Sequence, residues 1–143
     1  DTSLVLRTSI IGRTLAKRTF LDWIVKAIMD SKRVSLFSDS FTSFMHCSQL
    51  CSIIFELLDR EAMGLYNVSC SEVFTKAEFC IELANSMDFD LNYYLTSSDS
   101  QEIKKATSCG LSSKKLFDRF SIKTPSFAEV IEASALEAES FVI

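Results

Sequence analysis

The chain has 143 residues, 48% of them hydrophobic, with 12 phenylalanines, three glycines and one proline, and its formal net charge is −4. This length allows one domain with a hydrophobic core, and the composition excludes a disordered or low-complexity chain. Because the charge is acidic and no Lys/Arg cluster is interleaved with aromatic residues, the sequence also excludes a basic surface for nucleic acid.

The first half of the chain alternates between the hydrophobic period of strands and that of helices. Residues 4–13, LVLRTSIIGR, predict a buried strand that runs into a polar turn. Apolar residues at helical spacing predict a first helix over 20–28, and residues 33–38 predict a second strand. A second amphipathic helix is predicted over 50–58.

The same alternation continues in the second half. A strand is predicted over 65–69 and another over 92–97. Between them, Thr75 followed by Glu78 forms a capping box, and the apolar face behind it runs to Met87. This combination predicts a well-defined third helix.

Two more helices are predicted near the end of the chain, one over 112–120 and one that Pro125, Ser126 and Glu129 open. The resulting order of elements predicts an α/β domain with a small, partly parallel sheet and flanking helices. No repeat or linker divides it. Residues 136–143 carry weaker signals of order, since chain ends fray unless they are docked.

The five cysteines form no CxxC pair: Cys47, Cys51, Cys70, Cys80 and Cys109. Cys47 and Cys51 are four residues apart on a predicted helix, which could seed a metal site, but the only histidine is His46, next to Cys47. We interpret the cysteines as small apolar residues of a reducing compartment, and predict neither a metal site nor a disulfide framework. With no apolar run of about 20 residues and no signal peptide, we expect a soluble, cytoplasmic protein without a membrane partner.

Several segments resemble, in order, parts of one enzyme family. LVLRTSIIG resembles the late Rossmann strand of the extended short-chain dehydrogenase/reductases, especially the dTDP-4-dehydrorhamnose reductase-like enzymes of nucleotide sugars. GLYNVSCSEVFTKAEFCIEL is similar to that family's Gly-x-Tyr-(His/Asn)-(Val/Leu) strand and the Ser/Thr-capped helix behind it. Further matches lie at residues 19–28, 36–54, 105–116 and 124–134.

The resemblance implies the C-terminal, substrate-binding portion of an NAD(P)-binding, Rossmann-type reductase or epimerase in polysaccharide and nucleotide-sugar biosynthesis. Residues 1–12 would be the last part of a truncated Rossmann domain, 13–135 the substrate-binding lobe and 136–143 a tail. An opening strand without its usual neighbours implies a missing N-terminal Rossmann half. It also implies that the strand is displaced, is covered by the apolar residues 141–143, or pairs with another copy of the chain.

The family's catalytic elements have no counterpart in this sequence. Gly12, Gly64 and Gly110 are scattered and cannot form the Gly-x-x-Gly-x-x-Gly loop that holds a dinucleotide pyrophosphate. Each tyrosine is followed four residues later by Cys or Ser, so the Tyr-x-x-x-Lys pair is absent. We therefore predict that the chain alone has no catalytic residue, binds no cofactor and is inactive, while the parent protein uses NAD(P).

By the resemblance, Ser9 and Ile10 approach the nicotinamide, although Ile10 could equally be core at a strand end. Thr19 stands where the family has an Asn that addresses a sugar or phosphate, with a helix cap as the alternative. Phe41 and Phe44 could stack on a nucleotide base, and core packing is their alternative.

Two positions late in the chain complete the predicted substrate site. Lys105, beside Lys104, lies where the family offers an Arg to the diphosphate, or else it is part of a solvated charged pair. Ser108 matches an Asn/Asp position, or is a turn residue. The segment 39–45 holds larger departures, with Phe44–Met45 in place of Pro-Thr and Thr42 in place of Gly, which leave open a different sugar, a different base contact or a lapsed site.

Two functions remain open at this level. The first is the substrate lobe of an NAD(P)-dependent reductase or epimerase of nucleotide sugars. The second is a non-catalytic binding or regulatory subunit of the same superfamily. An upstream glycine-rich loop with Tyr-x-x-x-Lys would indicate the enzyme.

Overall fold

A computed structural model describes residues 3–14, 18–97, 106 and 108–140. Within these ranges the chain forms eight short strands and five helices. In chain order they are β1 (Leu4–Thr8), β2 (Ile10–Ile11), α1 (Phe20–Met29), β3 (Val34–Phe37), β4 (Phe41–Thr42), β5 (Met45–His46), α2 (Cys47–Asp59), β6 (Gly64–Val68), β7 (Phe74–Thr75), α3 (Lys76–Ser86), β8 (Tyr93–Thr96), α4 (Lys114–Phe120) and α5 (Phe127–Glu139).

Every predicted helix and strand is present, and the predicted α/β class is confirmed. The predicted strand over 4–13 is divided at Ser9 into β1 and β2. The two-residue strands β2, β4, β5 and β7 were not predicted as separate elements, because two residues are too few to show a hydrophobic period.

The strands form four two-stranded pairs, three of them parallel. β1 pairs with β6 from Leu4 opposite Gly64 to Thr8 opposite Val68. β2 pairs with β5 and β3 with β8, also in parallel, whereas β4 and β7 are antiparallel. At least one helix separates the partners of each parallel pair along the chain, as parallel pairing requires a crossover connection. The partly parallel arrangement is therefore confirmed.

Side-chain caps determine where the longer helices begin. Thr75 and Glu78 form the predicted capping box at the start of α3, with the Thr75 N–H donating to Glu78 Oε2 at 2.6 Å. Thr19 caps α1 and Ser126 caps α5 in the same way. At the start of α2 the cap is His46, whose Nδ1 accepts the Ser48 N–H.

A cluster of aromatic rings lies in the core, which is built from the strands and the buried faces of all five helices. Phe79 on α3 is fully buried, and its ring centroid is 4.8 Å from that of Phe44 in an edge-on arrangement. Phe44 is likewise edge-on to Phe74 at 5.0 Å. Phe20 joins the cluster at 6.1 Å from Phe79. These rings form a packed aromatic layer beneath the strand ends.

The opening strand β1 lies beside β6 and is not displaced. One face of this pair remains open, because Val5 and its partner Leu65 are 50% and 38% exposed. The apolar residues 141–143, which were expected as a possible cover, lie outside the described residues.

The last helix, α5, continues to Glu139, beyond residue 136 where the tail was predicted to start. Ala138 is fully buried, so this end of the helix is docked against the core. None of the helices in the described part of the chain is long and apolar enough to cross a membrane.

Candidate functional site

A cleft of about 420 Å³ opens beyond the carboxyl ends of β1 and β3. We call this space the strand-end cleft. It is lined by Ser9, Ile10, Ile11, Phe20, Ser40, Phe41, Thr42, Phe44, Lys76, Ala106 and Cys109. Four of the positions that the sequence predicted, Ser9, Ile10, Phe41 and Phe44, thus line one cavity. Ligands of α/β folds bind at this end of parallel strands.

Ser9 and Ile10 form the wall that follows β1. The Ser9 carbonyl accepts the Met45 N–H at 3.1 Å, which fixes the turn between β1 and β2. Ile10 is 56% exposed. Its side chain is therefore not core, and it is available to a ligand in the cleft.

The two predicted stacking residues differ in their surroundings. Phe41 is 43% exposed at the cleft wall, so one side of its ring is accessible. Phe44 is 5% exposed, and its ring packs against the core rings of Phe74 and Phe79. Of the pair, Phe41 has the environment of a stacking platform, and Phe44 supports it from below.

Lys76, the first residue of α3, contributes a positive charge that the sequence analysis missed. Its Nζ lies 5.9 Å from the centroid of the Phe20 ring, and its N–H donates to the Ser40 carbonyl at 3.1 Å. No carboxylate side chain is found among the described residues that line the cleft. A cation in the first turn of a helix interacts unfavourably with the helix dipole. The position of Lys76 directly after the Thr75 cap was therefore a sequence signal that could have indicated a functional role for this lysine.

Ser108 lies at the edge of the cleft, beside Phe41. The two residues form a parallel bridge, and the Cys109 N–H donates to the Phe41 carbonyl at 3.0 Å. Ser108 itself is exposed, while Cys109 lines the cavity. Lys105, the predicted diphosphate contact, lies outside the described residues.

Two buried serines hold the segment that follows Cys109 in place. The Ser43 hydroxyl accepts the Leu111 N–H at 2.8 Å, and the Ser69 hydroxyl donates to the Leu111 carbonyl at 3.1 Å. Both serines are fully buried. No local sequence signal indicates this role, because the partner is about 40 residues or more away along the chain.

A smaller pocket of about 240 Å³ adjoins the strand-end cleft and shares Ile10, Ile11 and Phe20 with it. We call it the Gly12 pocket. The rest of its lining is Gly12, Arg13, Thr14, Thr19 and Cys47.

Thr19, the predicted sugar or phosphate contact, lines the Gly12 pocket and also caps α1. Its hydroxyl accepts the Asp22 N–H at 3.2 Å and donates to Asp22 Oδ2 at 2.9 Å. Both hydrogen bonds belong to the capping box at the start of α1. The hydrogen-bonding capacity that it can offer a ligand is correspondingly reduced.

The Asp22 carboxylate ties the start of α1 to Arg13, whose Nε lies 3.1 Å from Asp22 Oδ1. Burial raises the pKa of Asp22, but the hydrogen bonds from Thr19 and the Arg13 guanidinium outweigh burial and hold the pKa below its ordinary value of 3.8. Asp22 is consequently ionised at neutral pH.

A larger groove, about 940 Å³, lies between α3 and α5, away from every predicted site residue. Its floor is apolar, and its lining includes Glu72, Glu78, Glu82, Glu132 and Glu139. A phosphate would be repelled there, since like charges disfavour one another at short range. The larger volume is therefore not the better candidate for a nucleotide, and we call it the acidic groove.

Comparisons with known proteins identify the fold. No protein-family model matches the sequence, and no curated protein matches it significantly. A dTDP-4-dehydrorhamnose reductase from Bacillus anthracis, solved with NADP, matches with a TM-score of 0.83 and 18% identity over 94% of this chain and 48% of that one. The chain shares its fold with these sugar-nucleotide enzymes.

Other solved structures agree. The dTDP-4-dehydrorhamnose reductase from Yersinia enterocolitica matches with a TM-score of 0.78 and 19% identity, over 96% of this chain and 49% of that one. The Bordetella bronchiseptica enzyme WbmG, solved with NAD and UDP, has a TM-score of 0.74 and 18% identity over 96% and 44% of the two chains. The resemblance seen in the sequence segments is confirmed at the level of the fold, and the chain spans about half the length of these structures.

Proposed function

We propose that the chain is the substrate-binding part of an NAD(P)-dependent reductase or epimerase of nucleotide-activated sugars. The observation that carries this proposal is the strand-end cleft, where four residues chosen from sequence resemblance line one cavity. The fold supports the proposal, because structures of the same fold include one enzyme solved with NADP and one solved with NAD and UDP.

The chemistry of the cleft suits an anionic nucleotide. The exposed ring of Phe41 offers a face on which a base can stack, an interaction of about 1–3 kcal/mol in proteins that bind single-stranded nucleic acid. Lys76 offers an ammonium group to the diphosphate, as a point charge without the bidentate geometry of arginine. Ser9 and Ile10, at the end of β1, are the proposed neighbours of the nicotinamide and the sugar.

Catalysis and cofactor binding are proposed to depend on the rest of the parent protein. The sequence has neither the glycine-rich loop nor the Tyr-x-x-x-Lys pair, so residues 1–143 should supply no acid for carbonyl reduction. We expect no oxidation of NADH or NADPH by residues 1–143 with UDP- or dTDP-sugars. Turnover that persists after contaminating enzyme has been removed would contradict this part of the proposal.

The open face around Val5 and Leu65 is the proposed contact for a Rossmann half or for a second copy of the chain. In this division residues 1–12 belong with the Rossmann part, and the substrate lobe extends through α5 to Glu139. Replacing Val5 by Lys should weaken self-association measured by sedimentation. An unchanged association constant would exclude this strand as a contact between copies of the chain and leave only the Rossmann half as its proposed partner.

The nucleotide site is tested by NMR titration of residues 1–143 with UDP. With half of the parent's ligand contacts missing, we expect weak binding, on the order of 1 mM, because buried area and preorganisation are both lost. Amide resonances of Ile10, Phe41 and Lys76 should shift together. Shifts confined to the acidic groove, or no shift at several times that concentration, would contradict the proposed site.

The variant Lys76→Ala should weaken UDP binding several-fold, since it removes a positive charge from the cleft. The matched control is Lys32→Ala, which removes an exposed lysine that lines none of the cavities described above. Equal effects of the two substitutions would indicate unspecific attraction. If the full-length parent bound UDP-sugars but showed no turnover with NAD(P)H, the non-catalytic alternative would replace the enzyme.

A further inference from the structure

Three side chains with different metal-binding atoms meet between the start of α2 and the end of α5. His46 Nε2, Cys47 Sγ and a carboxylate oxygen of Glu137 all lie within 4.8 Å of one another. His46 Nε2 is 3.1 Å from Glu137 Oε2. No metal site was predicted from the sequence, because Cys47 has only Cys51 as a ligand at helical spacing and Glu137 is 91 residues from His46.

Neighbouring groups orient two of the three ligands. As the cap of α2, Nδ1 of the buried His46 ring accepts the Ser48 N–H, so Nε2 carries the ring proton and is directed toward Glu137. A metal ion at Nε2 requires the other tautomer, in which Nδ1–H donates to Ser48 Oγ at 2.8 Å and the Ser48 N–H loses Nδ1 as its acceptor. The Arg13 N–H donates to Glu137 Oε2 at 3.1 Å. Such outer hydrogen bonds accompany metal-bound histidines and carboxylates in proteins, where they fix the ring orientation and increase ligand basicity.

Gly12 allows the Cys47 sulfur to pack closely against the backbone. A Cβ atom at residue 12 would lie 2.6 Å from Cys47 Sγ and 3.8 Å from Glu137 Oε2, and the Gly12 φ of +154° disfavours other residues. Gly12, Arg13 and Cys47 also line the Gly12 pocket. The cluster can therefore be reached from solvent on the side where Cys47 lines the Gly12 pocket.

We propose that His46, Cys47 and Glu137 bind one Zn²⁺ ion, with a fourth position open toward the Gly12 pocket. Imidazole, thiolate and carboxylate are each common zinc ligands, three protein ligands with one open position occur at zinc sites, and two negative ligands balance the charge of the ion. Tetrahedral zinc at its usual bond lengths separates ligand atoms by about 3.3–3.6 Å. The observed separations, from 3.1 Å to within 4.8 Å, require only small side-chain rotations.

A competing interpretation is a structural hydrogen bond between His46 and Glu137 that fastens α5 to β5. The two interpretations differ at Cys47. A hydrogen bond between His46 and Glu137 does not involve the Cys47 sulfur, whereas the proposed zinc site requires Cys47 as a thiolate ligand. Binding replaces the thiol proton with the metal ion, and the proton leaves to solvent.

The test uses purified residues 1–143 without a histidine tag. Equilibrium dialysis should find one Zn²⁺ per chain, and Co²⁺ in its place should show the near-ultraviolet charge-transfer band of a cobalt–thiolate bond. Cys47→Ser should abolish that band and lower metal affinity at least about tenfold, the scale expected for loss of a ligand or its support. The matched control Cys51→Ser, four residues along the same helix, should leave both unchanged.

Two further variants identify the remaining ligands. Glu137→Gln keeps the side-chain shape, and His46→Asn keeps a residue that caps helices well, so α2 should still form as judged by circular dichroism. Each should lower Zn²⁺ affinity at least about tenfold. The proposal is overturned if the wild-type chain retains no zinc, if bound Co²⁺ lacks the thiolate band, or if Cys51→Ser is as damaging as Cys47→Ser.

Discussion

Replacing Phe79 by Ala tests the aromatic layer that supports the strand-end cleft. Phe79 is fully buried, and its ring lies 4.8 Å from Phe44, 6.1 Å from Phe20 and 6.4 Å from Phe74, all within the range of attractive ring contacts. Truncating a buried Phe to Ala removes its transfer free energy and leaves a cavity, together about 3–5 kcal/mol. We expect a loss of about 4 kcal/mol in the free energy of unfolding.

Urea denaturation followed by circular dichroism measures this loss. With a slope of about 2 kcal/mol/M, a change of about 4 kcal/mol lowers the unfolding midpoint by about 2 M. Since domains of this kind are stable by only about 5–15 kcal/mol, the variant could be largely unfolded. Phe79→Leu therefore accompanies it, because a smaller change of volume should give a smaller shift in the same direction.

The matched control is Phe55→Ala on α2. Phe55 is 68% exposed, so the same chemical change should alter stability by about 0.5 kcal/mol or less. If Phe79→Ala and Phe55→Ala shifted the midpoint equally, or if Phe79→Ala lowered the free energy of unfolding by less than about 1 kcal/mol, the stabilising role of the aromatic layer would be refuted.

Two other predictions concern ionisation and thiol reactivity. The folded-state pKa of Asp22 lies below 3.8, so its carboxylate should stabilise the fold above about pH 4 and lose this contribution as the pH falls through the lowered pKa. Asp22→Asn should therefore be less stable than wild type in urea at about pH 7. The difference in stability should shrink at about pH 3. A deficit independent of pH would contradict this assignment. Iodoacetamide should alkylate the exposed Cys51 in the folded chain, and it should react with Cys80 only after unfolding. Burial raises the pKa of the Cys80 thiol to about 12. Equal alkylation rates for the two cysteines would show that Cys80 is accessible in the folded chain.

The helices were predictable because their signals are local. Thr75 and Glu78 lie within one turn of each other, so the capping box is visible in the sequence without knowledge of the fold. The strands β1, β3, β6 and β8 are long enough to show their character. The two-residue strands are not, because their existence depends on partners such as Met45 for Ile10, which lie far along the chain.

The candidate site was only partly predictable, for the same reason. Ser9, Ile10, Phe41 and Phe44 could be chosen by resemblance, since each falls in a segment with its own motif. Sequence resemblance could not bring Lys76 to this cleft, nor Glu137 to His46, because tertiary packing alone creates those contacts. Local patterns identify elements, and long-range contacts assemble sites from them.

The departure from the family pattern at residues 44 and 45 has a cause in packing. Where the family has Pro-Thr, the Phe44 ring meets Phe74 and Phe79 edge-on, and the side chain of Met45 is fully buried. Both side chains thus fill the layer beneath the cleft.

Because the side chains of Phe44 and Met45 are buried, the substitution changes the packing below the cleft and not the exposed side chains at its opening. The exposed groups of the cleft, which are the proposed ligand contacts, are the side chains of Ile10 and Phe41 and the ammonium group of Lys76. The substitution at 44–45 is therefore not an argument for a lapsed site. An aromatic face and a cation, with no carboxylate side chain among the described lining residues, still favour an anionic ligand with a planar base, whereas the acidic groove on α3 and α5 disfavours the same ligand by charge alone.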